Sequence, residues 1–142
     1  RVAPENAAER NSTDLTEVPK IAGRPRVPVL SLHGIGDMQV PFSMEQIYFL
    51  EAVANKQPLG HMLAQRAIRT TGHCEFSPTE VGTAFNDLVN WVNTGVKPAG
   101  DDVFTRATVA AATYGCRFSD KAAYAAGTGT RRLYAPCPES TS

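Results

Sequence analysis

The sequence predicts an α/β chain in which strand, helix, strand and helix alternate, with the two strands parallel. Three observations carry this expectation. Residues 27–32 and 63–68 are short runs of strand length and strand-like composition, each closed by a glycine-containing break. Each break is followed by a helix-start pattern, at Ser43 and again at Ser77. Roughly thirty residues separate the two runs, too many for a hairpin and enough for a right-handed crossover.

Residues 1–26 are polar and read as a surface connection entering the first strand; Asn11-Ser12-Thr13 within them fits a glycosylation sequon. The run at 27–32 breaks at His33-Gly34-Ile35-Gly36 and then presents Asp37. Ser43 as N-cap with Gln46 three residues on fits a capping box. The helix it opens should reach about Asn55, with Ile47, Leu50 and Ala54 on one face and Phe49 and Val53 beside it. Lys56-Gln57-Pro58-Leu59-Gly60 should end it, because proline and glycine both resist continuation.

The second strand, about residues 62–69, mixes apolar and polar positions, breaks at Thr70-Thr71-Gly72 and presents His73. Ser77-Pro78-Thr79-Glu80 is the sharpest helix start in the chain: serine caps, proline occupies the first turn and Glu80 closes the box. Val81, Phe85, Leu88, Val89 and Val92 follow at helical spacing, flanked by Trp91, and are expected to pack in the core. Gly95 is placed to terminate the helix. Beyond Lys97-Pro98-Ala99-Gly100 the tail has an alanine-rich piece at 108–113 and otherwise reads as irregular. The chain thus divides into a connection at 1–26, a core portion at 27–95 and an extension at 96–142. Two parallel strands cannot bury both their faces, so the predicted elements fall short of a complete domain.

Composition narrows the function. Fourteen basic and fourteen acidic residues balance, and the basic ones are scattered, which excludes nucleic acid as the main partner. No apolar stretch is long enough to span a bilayer. The chain opens on Arg1 with no export signal in view, and this reads as a processing product or an interior cut. Of three cysteines, Cys116 and Cys137 lie in the Gly/Pro-rich tail, where a disulfide is the favoured reading and implies an oxidising compartment. No C-x-x-C or H-x-x-x-H spacing suggests zinc, and no cofactor motif is present.

Functional residues in open parallel sheets gather beyond the carboxyl ends of the strands, which is where Asp37 and His73 fall. Neighbouring strands lie about 4.8 Å apart, so the two loops can bring a carboxylate to an imidazole. The acid would fix the tautomer through Nδ1–H and leave Nε2 free to take a proton from a nucleophilic hydroxyl. The nucleophile itself is missing. An elbow serine needs small neighbours on both sides, and Ser31, Ser43, Ser77 and Ser119 lack them. Cys74 follows His73 directly and reads as a small buried filler. His33 reads as structural, packing near the site. His33-Gly34-Ile35-Gly36 could also suggest an oxyanion-hole loop, but no elbow follows it.

Gly34-Ile35-Gly36-Asp37-Met38-Gln39-Val40-Pro41, a helix, a strand, then Gly72-His73-Cys74-Glu75-Phe76 and a final helix resemble the C-terminal portion of α/β-hydrolase-fold serine hydrolases. The likeness covers roughly residues 27–137 and looks closest to secreted bacterial esterases, lipases and aminopeptidases. It implies Asp37 as triad acid, His73 as triad base and an acyl substrate. It also implies a partner: an N-terminal part of the same hydrolase, carrying the nucleophile and oxyanion hole. The alternative is a non-catalytic fragment or subunit that uses the scaffold for association.

Overall fold

The computed structural model describes residues 23–55, 62–127 and 129–138. The surface connection up to residue 22, its sequon and the helix-ending stretch at 56–60 lie outside the described residues. Strand β1 (Val29–Gly34) pairs in parallel with β2 (Leu63–Ile68), Val29 opposite Leu63 and Gly34 opposite Ile68. The strand begins two residues later than the apolar run because Pro28 has no N–H to give. The first ladder bond is Val29 N–H to Met62 O, 2.8 Å.

Helix α1 (Ser43–Ala54) crosses between the strands and α2 (Pro78–Thr94) follows β2. They cover opposite faces of the sheet. Glu45 on α1 accepts from Ser31 Oγ and Gln65 Nε2, both at 2.6 Å. Asp87 on α2 accepts from Arg66 Nη2 at 2.6 Å, and Arg66 points away from its neighbour Gln65 as strand alternation requires.

The two capping expectations part company. At α2 the box forms in full: Glu80 N–H donates to Ser77 Oγ and Ser77 N–H to Glu80 Oε2, 2.8 Å, while Gly95 closes the helix at φ +74°. At α1 it does not form. Ser43 lies inside the helix, Phe42 holds the cap position, and Met44 and Glu45 N–H donate to the carbonyls of Pro41 and Phe42. With those amides satisfied by the backbone, Gln46 is released to donate to Val103 O at 2.9 Å.

The core reading of the α2 stripe is also corrected. Phe85 and Val92 are 64% and 62% exposed, with Val81 and Val89 outward beside them. The buried side carries Glu80, Ala84 and Trp91. Charge pairing sets this rotation. Arg131 grips both carboxylate oxygens of Glu80 at 2.7 and 2.6 Å, and Arg66 holds Asp87 one turn beyond Ala84. Residues 80, 84, 87 and 91 share one helical face, so these pairs turn it inward and the apolar stripe outward.

All of β2 is buried, including Gln65 and Arg66, whose polar side chains blurred its pattern in the sequence. Its outer edge is closed by the tail. Asp101 N–H donates to Gln65 O, Ala67 N–H to Asp101 Oδ2 and Arg69 N–H to Ser119 Oγ. The tail is less irregular than its sequence suggests. It forms α3 (Arg106–Val109), α4 (Lys121–Ala125), capped by Asp120, and a 3-10 turn, η1 (Gly129–Leu133). Cys116 and Cys137 form the expected disulfide, Cα–Cα 5.4 Å. No helix among the described residues is long and apolar enough to cross a membrane.

Two stability outcomes follow. Arg131→Met leaves the buried Glu80 carboxyl without its guanidinium partner and should cost about 3–5 kcal/mol. Urea unfolding followed by the fluorescence of buried Trp91 measures it; a loss under about 1 kcal/mol would show that the pair does not hold α2. Replacing Cys116 and Cys137 with serine opens a 21-residue loop and should cost roughly 3 kcal/mol in the same assay.

Candidate active site

The loop after β1 is tied to the end of β2 before any side chain takes part. Ile35 N–H donates to Ile68 O at 2.9 Å and Gly36 N–H to Thr70 O at 3.0 Å, continuing the ladder past both strands. Gly36 must be glycine here, because a Cβ would lie 2.7 Å from Thr71 Cγ2 and against the Tyr134 hydroxyl. Asp37 follows. Its Oδ1 accepts from the backbone N–H of Gln39 (2.8 Å) and Val40 (3.0 Å), an Asx turn that locks the carboxylate.

The other oxygen, Oδ2, meets His73 Nδ1 at 2.8 Å. The structure therefore brings together the two residues that the sequence singled out. Hydrogen bonding from Val40 N–H, then from His73, lowers the Asp37 pKa from an ordinary 3.8 to about 2. The side chain is only 5% exposed, and desolvation opposes the shift without overcoming the hydrogen bonds. An ionised carboxylate can only accept, so Nδ1 donates to it, and in the neutral imidazole that leaves the lone pair on Nε2. The imidazole is 40% exposed and within reach of an incoming group.

Cys74 is not the buried filler expected. It is exposed, takes a left-handed backbone at φ +54° where the chain turns towards α2, and places Sγ 3.7 Å from His73 Nε2. His33 does pack structurally, edge-on to Phe42 at 5.7 Å. Three of the serines are engaged elsewhere: Ser31 Oγ donates to Glu45, Ser77 Oγ to Asp120 and Ser119 Oγ to Gly115 O. No group of three His, Cys, Asp or Glu side chains among the described residues is arranged to hold a metal ion.

Residues that the sequence did not single out surround the His73 loop. Glu75 accepts from Thr70 Oγ1 at 2.6 Å and from Thr130 N–H and Oγ1, while Thr130 Oγ1 accepts from Thr71 and Gly72 N–H. The one sequence signal was Gly129. Its φ of +59° and its close approach to Glu75 leave no space for a Cβ.

Titration tests this electrostatic picture. Because the native pKa is depressed, Asp37 contributes stability that is full above about pH 4 and is lost as pH falls through about 2. Carboxyl NMR should place the Asp37 midpoint near 2. His73→Phe should raise that midpoint only part of the way to 3.8, since the Val40 amide remains. A full return to 3.8 would make the imidazole, not the turn, the dominant influence.

No protein-family model matches this sequence, and no solved structure matches the chain. Among curated proteins, it is 31% identical over 98 residues to o-phthalyl amidase of Xanthobacter agilis. The match takes in 68% of this chain and 21% of the relative, so the chain spans about a fifth of that enzyme's length. The similarity is thus a distant, partial one to an amidase, an enzyme that hydrolyses an acyl bond.

Proposed function

We propose that this chain supplies the acid and the base of an acyl hydrolase acting by a Ser-His-Asp mechanism. The serine and the oxyanion hole would come from a further part of the same hydrolase or from a partner chain. The observation that carries this reading is the 2.8 Å contact between His73 Nδ1 and Asp37 Oδ2 at adjacent ends of parallel strands. The partial likeness to an amidase supports it.

In this mechanism Asp37 orients the imidazole and stabilises the imidazolium that forms. His73 Nε2 takes the proton from the serine hydroxyl as its oxygen bonds to the substrate carbonyl carbon. The same nitrogen then delivers that proton to the departing alcohol or amine. Water repeats the cycle and releases the acid. Carboxylic esters and amides are both within the chemistry, and the amidase relative favours including amides.

The rest of the hydrolase has a place to pack. Among the described residues the sheet has two strands, and β1 pairs with β2 alone. On α1, Met44, Ile47, Leu50 and Val53 are exposed, as is the stripe on α2. The disulfide favours an extracytoplasmic location. The same exposed faces favour a second reading, a non-catalytic subunit that uses this scaffold to associate.

Intact-mass analysis of native material separates the two. A longer polypeptide, or a co-purifying chain, bearing a Gly-x-Ser-x-Gly elbow and labelled by a serine-directed organophosphate supports the hydrolase; its absence favours the subunit. In the active assembly, Asp37→Asn should lower kcat by about 10⁴, the loss seen when a serine protease loses its triad aspartate to asparagine. Cys74→Ala should leave turnover intact. Abolished activity there would point to a thiol nucleophile instead.

A further inference from the structure

The geometry points to a second role for the tail: Thr130 and Glu75 form a clamp that positions His73 against Asp37. This inference takes its catalytic meaning from the function proposed above, while its structural content stands apart from it.

The loop that presents His73 runs from Thr70 to Glu75, and its own bonds are the Gly72 amide to Thr70 Oγ1 at 3.2 Å and the Glu75 amide to Gly72 O at 3.4 Å. Its amides at Thr71 and Gly72 point at one atom, Thr130 Oγ1, at 2.9 and 3.0 Å. That hydroxyl, fully occupied as an acceptor, donates its own proton to Glu75 Oε2. Thr70 Oγ1 donates to the same oxygen, and Thr130 N–H to Oε1 at 2.9 Å. The Glu75 carboxylate therefore closes the loop on itself and on η1 at once. Glycine makes the space. A Cβ at Gly72 would fall 2.8 Å from Glu75 Cβ, and one at Gly129 would lie 2.7 Å from Glu75 Cδ.

The tail segment 129–137, a strap that carries η1, also reaches the other loop. Tyr134, one residue beyond η1, rests its hydroxyl where a Gly36 side chain would be, beside Asp37. The Arg131–Glu80 pair anchors the strap to α2, and the disulfide at Cys137 anchors it to Cys116. One short segment thus touches the acid's loop and the histidine's loop together. Burial pushes the Glu75 carboxyl up, but the Thr130 and Thr70 hydrogen bonds outweigh it and keep the carboxylate ionised as an acceptor.

The test is carried out on the whole chain by NMR. In the unaltered protein the His73 Nδ1 proton, held by Asp37, should give a slowly exchanging low-field resonance. Thr130→Val keeps the side-chain shape but strips the Thr71 amide of its acceptor and leaves the Gly72 amide only its longer bond to Thr70 Oγ1. It should broaden or abolish that resonance and raise the Asp37 midpoint towards its value in His73→Phe; Thr130→Ser should restore both. Glu75→Gln is the second variant, since an amide group must set a donor against either Thr130 N–H or the two hydroxyls. It should weaken the same signal in a chain whose Trp91 fluorescence reports an intact fold.

If both variants fold and leave the His73 proton and the Asp37 midpoint unchanged, even with a lower melting temperature, the clamp is structural only and the inference is overturned. In an active assembly, Thr130→Val should lower kcat about 100-fold with KM unchanged, the scale of a misplacement of about 1 Å. Absence of hydrolysis in the unaltered assembly would defeat the proposed function but not the NMR result, so the two failures are distinguishable.

Discussion

Gly34 lies opposite Ile68 in a parallel ladder, so β1 and β2 end level with each other and release their loops at one edge. An antiparallel pair of six-residue strands would have put those loops at opposite ends, about 20 Å apart, and no side chain spans that gap. Parallel pairing obliges the chain to return through a crossover, which α1 supplies, and to shield both faces of the sheet, which α1 and α2 begin to do. The ladder does not stop with the strands. Bonds from Ile35 to Ile68 and from Gly36 to Thr70 carry it into the loops, so Asp37 and His73 inherit strand spacing.

Local signals survived into the structure where nothing distant competed with them. The Ser77–Glu80 box needs only four consecutive residues, and it forms as written. The similar pattern at Ser43 lost to the carbonyls of Pro41 and Phe42, which a pattern of residue types does not register. Asp37 and His73 were legible because each sits just past a strand, and parallel topology alone then brings them close. Their surroundings were not. Glu75 and Thr130 are 55 residues apart, and nothing local in either one names the other.

Periodicity revealed that α2 has an apolar stripe but not which way it faces. Glu80 and Asp87 found their partners, Arg131 and Arg66, 51 and 21 residues away. Those pairs outrank the stripe because the apolar surface offered by a two-stranded sheet is small. A carboxylate buried as deeply as Glu80 would cost several kcal/mol if left unpaired, and so narrow a sheet could give the stripe only part of its full burial. The same reasoning explains β2: its polar positions were ambiguous as a strand pattern because each one is buried with a designated partner.

This division of labour bears on how a larger assembly could form. Buried ion pairs contribute little net stability compared with an apolar core, but they fix orientation, since few arrangements satisfy every charge. Here Arg131 with Glu80 fixes the strap against α2, Arg66 with the part-exposed Asp87 fixes α2 against β2, and the Thr130–Glu75 hydrogen bonds hold the His73 loop, so the contact of Asp37 with His73 is made within the chain. The apolar faces of α1 and α2 take no part in that geometry. Covering them on association would add burial without moving the loops. A partner could then complete a site around Asp37 and His73 that is already aligned, with its binding energy free for the assembly itself.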